Sequence, residues 1–428
     1  MQDRRNFLKQ LTMLSTCTWA PSFLVRSVKA AKASGMARAA MGNPNRILVV
    51  VEMAGGCDGL NTLVPYTNDF YYQARSSLAL AENQGLLKLN NTVGEALAFH
   101  PSMNGFKELW EEGNLSVVQG VGYPNPNRSH FRSRDIWHTA EPENVASDGW
   151  LSNYLEENPS EATLAALNLG GRVPRALVGE SGSSPSIQSI DTYQLQTDPK
   201  YRATDEANKN AAFQQILSEP HNQYPLEEYV KQTLLDATLS SIQLLDGQDN
   251  YQSSIEYPNG AFANNLRSIA QIIAAEIGIT VFYTTIGGFD NHSGQIQAGN
   301  NLLGVHANLL EDVSSGLQSF YADLVEMGRE QDVLILSFSE FGRRLRQNGS
   351  LGTDHGTANQ MFLLGGGLTP QTIYGEHPSL AADDLDIIGD MIHTLDFRSV
   401  YAAVLADWLG ADPAVVLGGD FLDSRIRL

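Results

Sequence analysis

Residues 47–61 read ILVVVEMAGGCDGLN, and the fold turns on them. An unbroken β-branched apolar run, with no polar residue at every second position, suits a strand covered on both faces, as in a parallel sheet packed between helices. Asn43-Pro44-Asn45 precedes the run, and Gly55-Gly56-Cys57-Asp58-Gly59 follows it. Such punctuation ends a strand in a loop. Further along the chain the hydrophobic period predicts helices near Met103–Glu111, Ser129–Trp137, Asn265–Glu276, Asn308–Glu326 and Arg398–Leu409. It predicts strands at Leu115–Gly120, Thr280–Thr285, Val333–Phe338 and Met361–Leu364. Strands and helices that alternate in this way imply an α/β fold: a doubly wound, mostly parallel sheet with helices on both faces. Residues from about 155 to 260 are richer in Ser, Gln, Asn and Asp and weakly periodic, which predicts an inserted cap region within a domain spanning 41–428.

The chain has 428 residues, 42 % of them hydrophobic and 18 % charged, with 38 Gly and 17 Pro. That composition excludes a disordered tail, a coiled coil and a collagen-like chain. With 28 basic against 48 acidic residues the formal charge is −20, so the surface repels phosphate backbones and anionic lipid heads, and nucleic acid is excluded as a partner. The first forty residues reverse this sign: Arg4, Arg5, Lys9, Arg26, Lys29, Lys32 and Arg38 stand against Asp3 alone. Arg4-Arg5, a modest apolar run from about Leu11 to Val25 and Ala31-Lys32-Ala33 resemble a twin-arginine export signal, removed on processing. The apolar run is too short and too polar to span a bilayer, and no later stretch is long enough, so a periplasmic or secreted product is expected. Of the two cysteines, Cys17 falls in that leader. Cys57 is then a free thiol.

In an open α/β sheet, ligands bind beyond the carboxyl ends of the strands. Acids and histidines gather in the loops expected there: Asp58 after the first strand, Asp290 and His292 in Gly287–His292, Glu340 in Ser339–Arg343, and Asp354-His355 within Thr353–Asn359. Carboxylates with imidazoles suit Zn²⁺, or Mn²⁺, better than an all-oxygen Mg²⁺ or Ca²⁺ site. Each residue also has a plain structural reading. Asp58 between glycines can serve as a turn residue, Ser129 at a helix start as an N-cap worth about 0.5–2 kcal/mol, and Cys57 as a small buried side chain. Glu340 can be a ligand, or the carboxylate that fixes His292 or His355. His306 and His377 read as surface residues, and at least one of Arg343 and Arg344, at an expected helix start, as a surface ion-pair partner.

GGCDGLNTLVPY at 55–66, RSHF at 128–131, GGFDNH at 287–292, SEFGR at 339–343 and GTDHGTAN at 352–359 together resemble the DUF1501 family of exported bacterial proteins. That family is placed in the alkaline phosphatase-like superfamily of phosphatases, sulfatases and cofactor-independent phosphoglycerate mutases. The resemblance implies one metal site made by Asp58, Asp354 and His355, a second held by Asp290 and His292, and a nucleophile near Ser129. At that helix start Arg128, Arg132 or His130 would orient an anion, and His130 would otherwise be a general acid or a ligand. Superfamily members commonly separate the Asp and His of the first site by three residues, whereas here only Asn291 intervenes. The third histidine of that site is sought among His306, His377 and His393. The expected activity is hydrolysis of a small-molecule or polymer phosphate or sulfate ester with one or two divalent ions. The alternative is a non-catalytic exported protein with a structural metal and a protein partner. A sulfatase using Cys57 is set aside, because the sulfatase Cys-x-Pro-x-Arg pattern is absent.

Overall fold

The computed structural model describes residues 46–190 and 251–428, except 91–93, 147, 161, 163, 181, 424 and 425, and only isolated positions between 191 and 250. The export signal expected over residues 1–40 and Cys17 lie outside the described residues. Among the described residues, no helix is long and apolar enough to cross a membrane.

The strands of the main sheet and of the hairpin beside it are β1 (Ile47–Met53), β2 (Leu115–Gly122), β3 (Ala166–Leu169), β4 (Ser186–Ile187), β5 (Val281–Ile286), β6 (Val333–Phe338), β7 (Arg343–Gln347), β8 (Thr353–His355), β9 (Asn359–Gly365), β10 (Ile373–Tyr374) and β11 (Leu395–Asp396); two short helices, α1 (Gly59–Thr62) and α2 (Asp69–Ala74), follow β1. The main sheet runs β10-β2-β9-β6-β1-β5-β3-β4, with β11 also paired to β2. β1 is central and parallel to both neighbours, with Glu52 level with Thr285 of β5 and Phe338 of β6. The sheet is α/β and mostly parallel, and β9 is the antiparallel exception, against both β6 and β2.

The reading of residues 47–53 as a doubly covered strand holds in detail, since all seven are buried. Ile47, Val49, Val51 and Met53 enter one core cluster, with side chains of α3 (Asn104–Glu111), α6 (Ala261–Ala274) and α7 (Val305–Glu326). Leu48 and Val50 enter the other, with α4 (His130–Thr139), α5 (Trp150–Glu157) and α8 (Phe397–Ala403). Successive side chains of a strand point to opposite faces, so a strand between two helical layers has no polar side to show. Glu52 breaks the run on the second face, where it stays buried.

Three expectations need correction. Within the segment 155–260, β3 and β4 pair in parallel beside β5, so its first part belongs to the core sheet rather than to a cap, and most of the remainder lies outside the described residues. Residues 343–347 form a strand rather than a helix start, pairing with β8 as a hairpin. Their side chains alternate between inward and outward: Arg343 and Leu345 are buried, while Arg344 and Arg346 are not. Met361–Leu364, expected to continue the strand–helix alternation, lies in β9, which enters from this hairpin with no helix between and runs antiparallel.

Candidate metal centre

β1, β5, β6 and β2 run in the same direction, so the loops that follow them share one edge of the sheet. The start of antiparallel β9 lies at that edge too, and β8, with Asp354 and His355, comes immediately before it. Topology therefore delivers Asp290 and His292 after β5, Glu340 after β6, His130 at the first turn of α4 after β2, and His355 from the hairpin. Among the described residues, the ligating atoms of His130, Asp290 and His355 lie within 4.8 Å of one another. His292 adjoins them, its Nε2 2.8 Å from His355 Nε2 and 3.2 Å from Asp290 Oδ1.

The outer nitrogens explain how the rings are held. His130 Nδ1 lies 2.8 Å from Glu340 Oε1, His292 Nδ1 2.9 Å from Asp354 Oδ1, and His355 Nδ1 2.7 Å from the Arg128 carbonyl oxygen. Ionised carboxylates and carbonyls only accept, so each Nδ1 carries the proton and each Nε2 is left with a lone pair. Those three Nε2 atoms face Asp290: His355 at 3.1 Å, His292 at 3.2 Å and His130 at 3.5 Å. His130 Nε2 is buried and has no hydrogen-bond partner among the described residues. Acceptors thus converge on acceptors, an arrangement that a divalent cation relieves and that neutral side chains alone do not. The donor set, imidazole nitrogens with a carboxylate, is one that divalent transition metals accept.

The electrostatics follow from these contacts. The bond to Glu340 raises His130 above its ordinary value, outweighing burial. Burial holds His355 below its ordinary value despite Asp290 and the Arg128 carbonyl. Burial alone would raise Asp290, but the Arg343 guanidinium and His355 bring it down to about 2. The bond to His292 lowers Asp354.

Two buried residues build the floor. Glu340 accepts hydrogen bonds from the backbone N–H groups of Gly55 (2.9 Å) and Gly56 (3.1 Å) while holding His130. Gly55 has φ +123°, and a Cβ there would sit 2.5 Å from the Asp290 nitrogen, so the loop after β1 can approach the loop after β5 only through a glycine. Arg343 donates to the carbonyls of Gly56, Thr353 and Phe289 at 2.6, 2.8 and 3.1 Å, to that of Gly55, and to Asp290 Oδ1 at 2.7 Å. One guanidinium thereby joins the loops after β1 and β5 to the hairpin. Arg343 is fully buried, and Arg344, partly exposed and paired with Asp390, is the one of the two that forms the expected ion pair near the surface.

The remaining sequence candidates fall in different places. Asp58 is buried away from Asp354 and His355: its Oδ2 meets Arg75 at 2.6 Å and Gln295 at 2.5 Å. Its carboxyl lies below the ordinary value, Arg75 outweighing burial. Asp354 faces His292 Nδ1 and Asn348, and Glu340 fixes His130 rather than His292 or His355. The third imidazole beside Asp290 is His130, upstream of the three histidines considered for that place. His306 is buried, not on the surface, and its Nε2 lies 3.3 Å from Thr62 Oγ1. Cys57 is a buried free thiol, its pKa pushed up to about 12 by burial. Arg128 pairs with Asp386 and Asp390 while its carbonyl holds His355.

Ser129 is the N-cap residue of α4, yet its exposed side chain makes no capping hydrogen bond. Ser129→Ala is therefore expected to cost less than about 0.5 kcal/mol, below the range for a working cap. Urea unfolding of the two proteins checks this; a loss above about 1 kcal/mol would show that the hydroxyl caps the helix after all.

No curated protein matches the chain. Among solved structures it is similar to the C-terminal periplasmic domain of EcEptC from Escherichia coli in complex with Zn, at 11 % identity over 90 % of this chain and 88 % of that one, with a TM-score of 0.38. It is similar also to a protein in the alkaline phosphatase superfamily from Vibrio parahaemolyticus, at 9 % identity over 89 % and 70 % of the two chains, TM-score 0.37. A third is the PsFucS1 sulfatase from Pseudoalteromonas sp., at 9 % identity over 87 % and 68 %, TM-score 0.35. The family model described as "Protein of unknown function (DUF1501)" matches residues 45–418, and the chain belongs to that family.

Proposed function

We propose that this chain is an exported, metal-dependent hydrolase of a phosphate or sulfate ester, with zinc as the metal. One observation carries the reading: three imidazoles spend Nδ1 on outer acceptors and turn Nε2 toward Asp290. His130, His355 and Asp290 would hold the ion, with His292 beside them. Bound there, zinc supplies Lewis-acid polarisation and lowers the pKa of an attacking group. The chain's own residues would do the rest. Ser129, next to His130 at the N-terminus of a ten-residue helix, offers a hydroxyl where backbone N–H groups favour an anion. Glu340 and the Arg128 carbonyl keep two of the rings in register, and Arg343 fixes Asp290. The twin-arginine pattern supports export before or during use outside the cytoplasm, and replacing Arg4 and Arg5 by Lys is expected to retain the precursor in the cytoplasm.

A second reading is a non-catalytic exported protein that keeps a metal and binds a protein partner. It is favoured by the separation of Asp58, paired with Arg75, which leaves one ligand cluster among the described residues in place of two. Elemental analysis of protein purified without added metal, followed by a panel of phosphate and sulfate esters, separates the two readings. The hydrolase reading expects about one zinc per chain and turnover that a chelator removes and zinc restores. Full zinc content without turnover of any ester supports the second reading, and protein that neither carries nor takes up metal overturns both. Ser129→Ala is expected to abolish the turnover at unchanged zinc content; retained turnover would exclude Ser129 as nucleophile.

A further inference from the structure

α4 carries His130 at its first position and Arg134 one turn later, four residues apart and so on one face of the helix. Arg134 reaches toward the end of β1, where its Nε lies 2.5 Å from Glu52 Oε1. Glu52 is the polar residue that interrupts the second apolar face of β1. Its other oxygen accepts from Tyr283 at 2.7 Å and lies 3.3 Å from His138 Nε2. Burial alone would raise the Glu52 carboxyl, but His138, Arg134 and Tyr283 together bring it down to about 2, so it is a permanent anion. The pair is a charge contact: neither Glu52 Oε1 nor Arg134 Nε has a hydrogen-bond partner among the described residues, and the buried anion holds the guanidinium over it by attraction.

The guanidinium is not used up by this pair. Its two terminal amino groups have no acceptor among the described residues, and 41 % of the side chain is exposed. The other arginines of the region differ: Arg128, Arg132, Arg343 and Arg344 each bind a carboxylate or a backbone carbonyl through at least one terminal amino group. Arg134 also lies near enough to Glu340, the holder of His130, to feel its charge. Thr285, level with Glu52 in the register, is exposed on β5, so the corner between α4 and the ends of β1 and β5 opens to solvent.

We infer that Arg134, seated on Glu52 one helical turn from His130, is the binding residue for the tetrahedral oxyanion of the substrate, a phosphate or sulfate group. Two parallel N–H donors match two oxygens of such a group. This rests on the hydrolase reading for the identity of the anion, but binding of the anion requires no turnover, so the two can fail separately. The role is not legible in the sequence, because one arginine among the polar residues of HFRSRDIWHT reads as a surface charge.

The test is isothermal titration of the zinc-loaded protein with inorganic phosphate, comparing wild type, Arg134→Lys and the neutral double variant Glu52→Gln/Arg134→Gln. Lysine retains the charge opposite Glu52 but spends its one nitrogen there. The double variant removes the buried charge together with its partner, so that at least one folded variant lacks the fork. At least a tenfold loss of phosphate affinity, at zinc content and melting temperature equal to wild type, is the expected result. A smaller loss, or a wild type that binds no phosphate, overturns the assignment. Arginine-dependent phosphate binding in a protein that cleaves no ester would sustain this site and sink the hydrolase reading.

Discussion

His355→Ala is expected to lower zinc affinity by more than about 100-fold, since loss of an outer partner alone commonly costs about 10–100-fold. Its Nε2 is the point at which the cluster closes, 2.8 Å from His292 Nε2 and 3.1 Å from Asp290 Oδ1. The informative comparison is Asp354→Asn. The resemblance treats Asp354 and His355 as a pair of ligands, which would make the two variants equally damaging. In the structure Asp354 reaches His292 Nδ1, so Asn in its place still accepts from that ring, and the loss should stay within about tenfold. Chelator competition against each purified variant measures both. Equal losses would return Asp354 to the ligand set, and a small effect of His355→Ala would remove the centre altogether.

Arg343→Ala is expected to cost about 3–5 kcal/mol of stability, the largest single effect at this edge of the sheet. Removing one partner from a buried charged network leaves the others stranded, and here they are four backbone carbonyls and Asp290. Arg343→Lys should recover little of this, because one ammonium cannot reproduce bonds that leave Nε, Nη1 and Nη2 in different directions. Urea unfolding reads the loss. If Arg343→Lys unfolds at the wild-type midpoint, the guanidinium is not what binds the loops together.

The legible part of the fold was the part governed by apolar period. Ile47–Met53 and Val333–Phe338 are legible to the residue as β1 and β6, because short runs rich in Val and Ile suit a doubly covered strand, and Asn-Pro-Asn and Gly-Gly bound the first. The hairpin was not legible. Arg343-Arg344-Leu345-Arg346 carries one apolar side chain, and its period-two burial depends on carbonyls supplied by distant loops, which turn an arginine inward. The site was legible as a set of loops after strands, and Asp290, His292 and His355 do meet there. What each residue does was not: the difference between a ligand and the group behind a ligand is a matter of a few ångströms. Asp354 and Glu340 share the loops and the chemistry of ligands yet lie behind rings. His130 is legible as a general acid or a ligand from its place at the helix start after a strand, but its position beside Asp290 is not, because the order of the resemblance puts that imidazole farther along the chain, among His306, His377 and His393.

The central position of β1 also bears on the order in which the molecule can be made. Its partners are residues 281–286 and 333–338, more than two hundred positions downstream, so the first strand to emerge has nothing to pair with until most of the chain exists. Contacts of such long range are slow to close, since the entropy of bringing the segments together is lost before any contact rewards it. The ring of His130 waits for Glu340 and His355 in the same way. A nascent chain stopped before residue 330 would lack β6, Glu340 and the hairpin at once and would hold His130, Asp290 and His292 without the groups that orient them, so the ability to retain zinc should appear abruptly, near the end of synthesis, rather than by degrees.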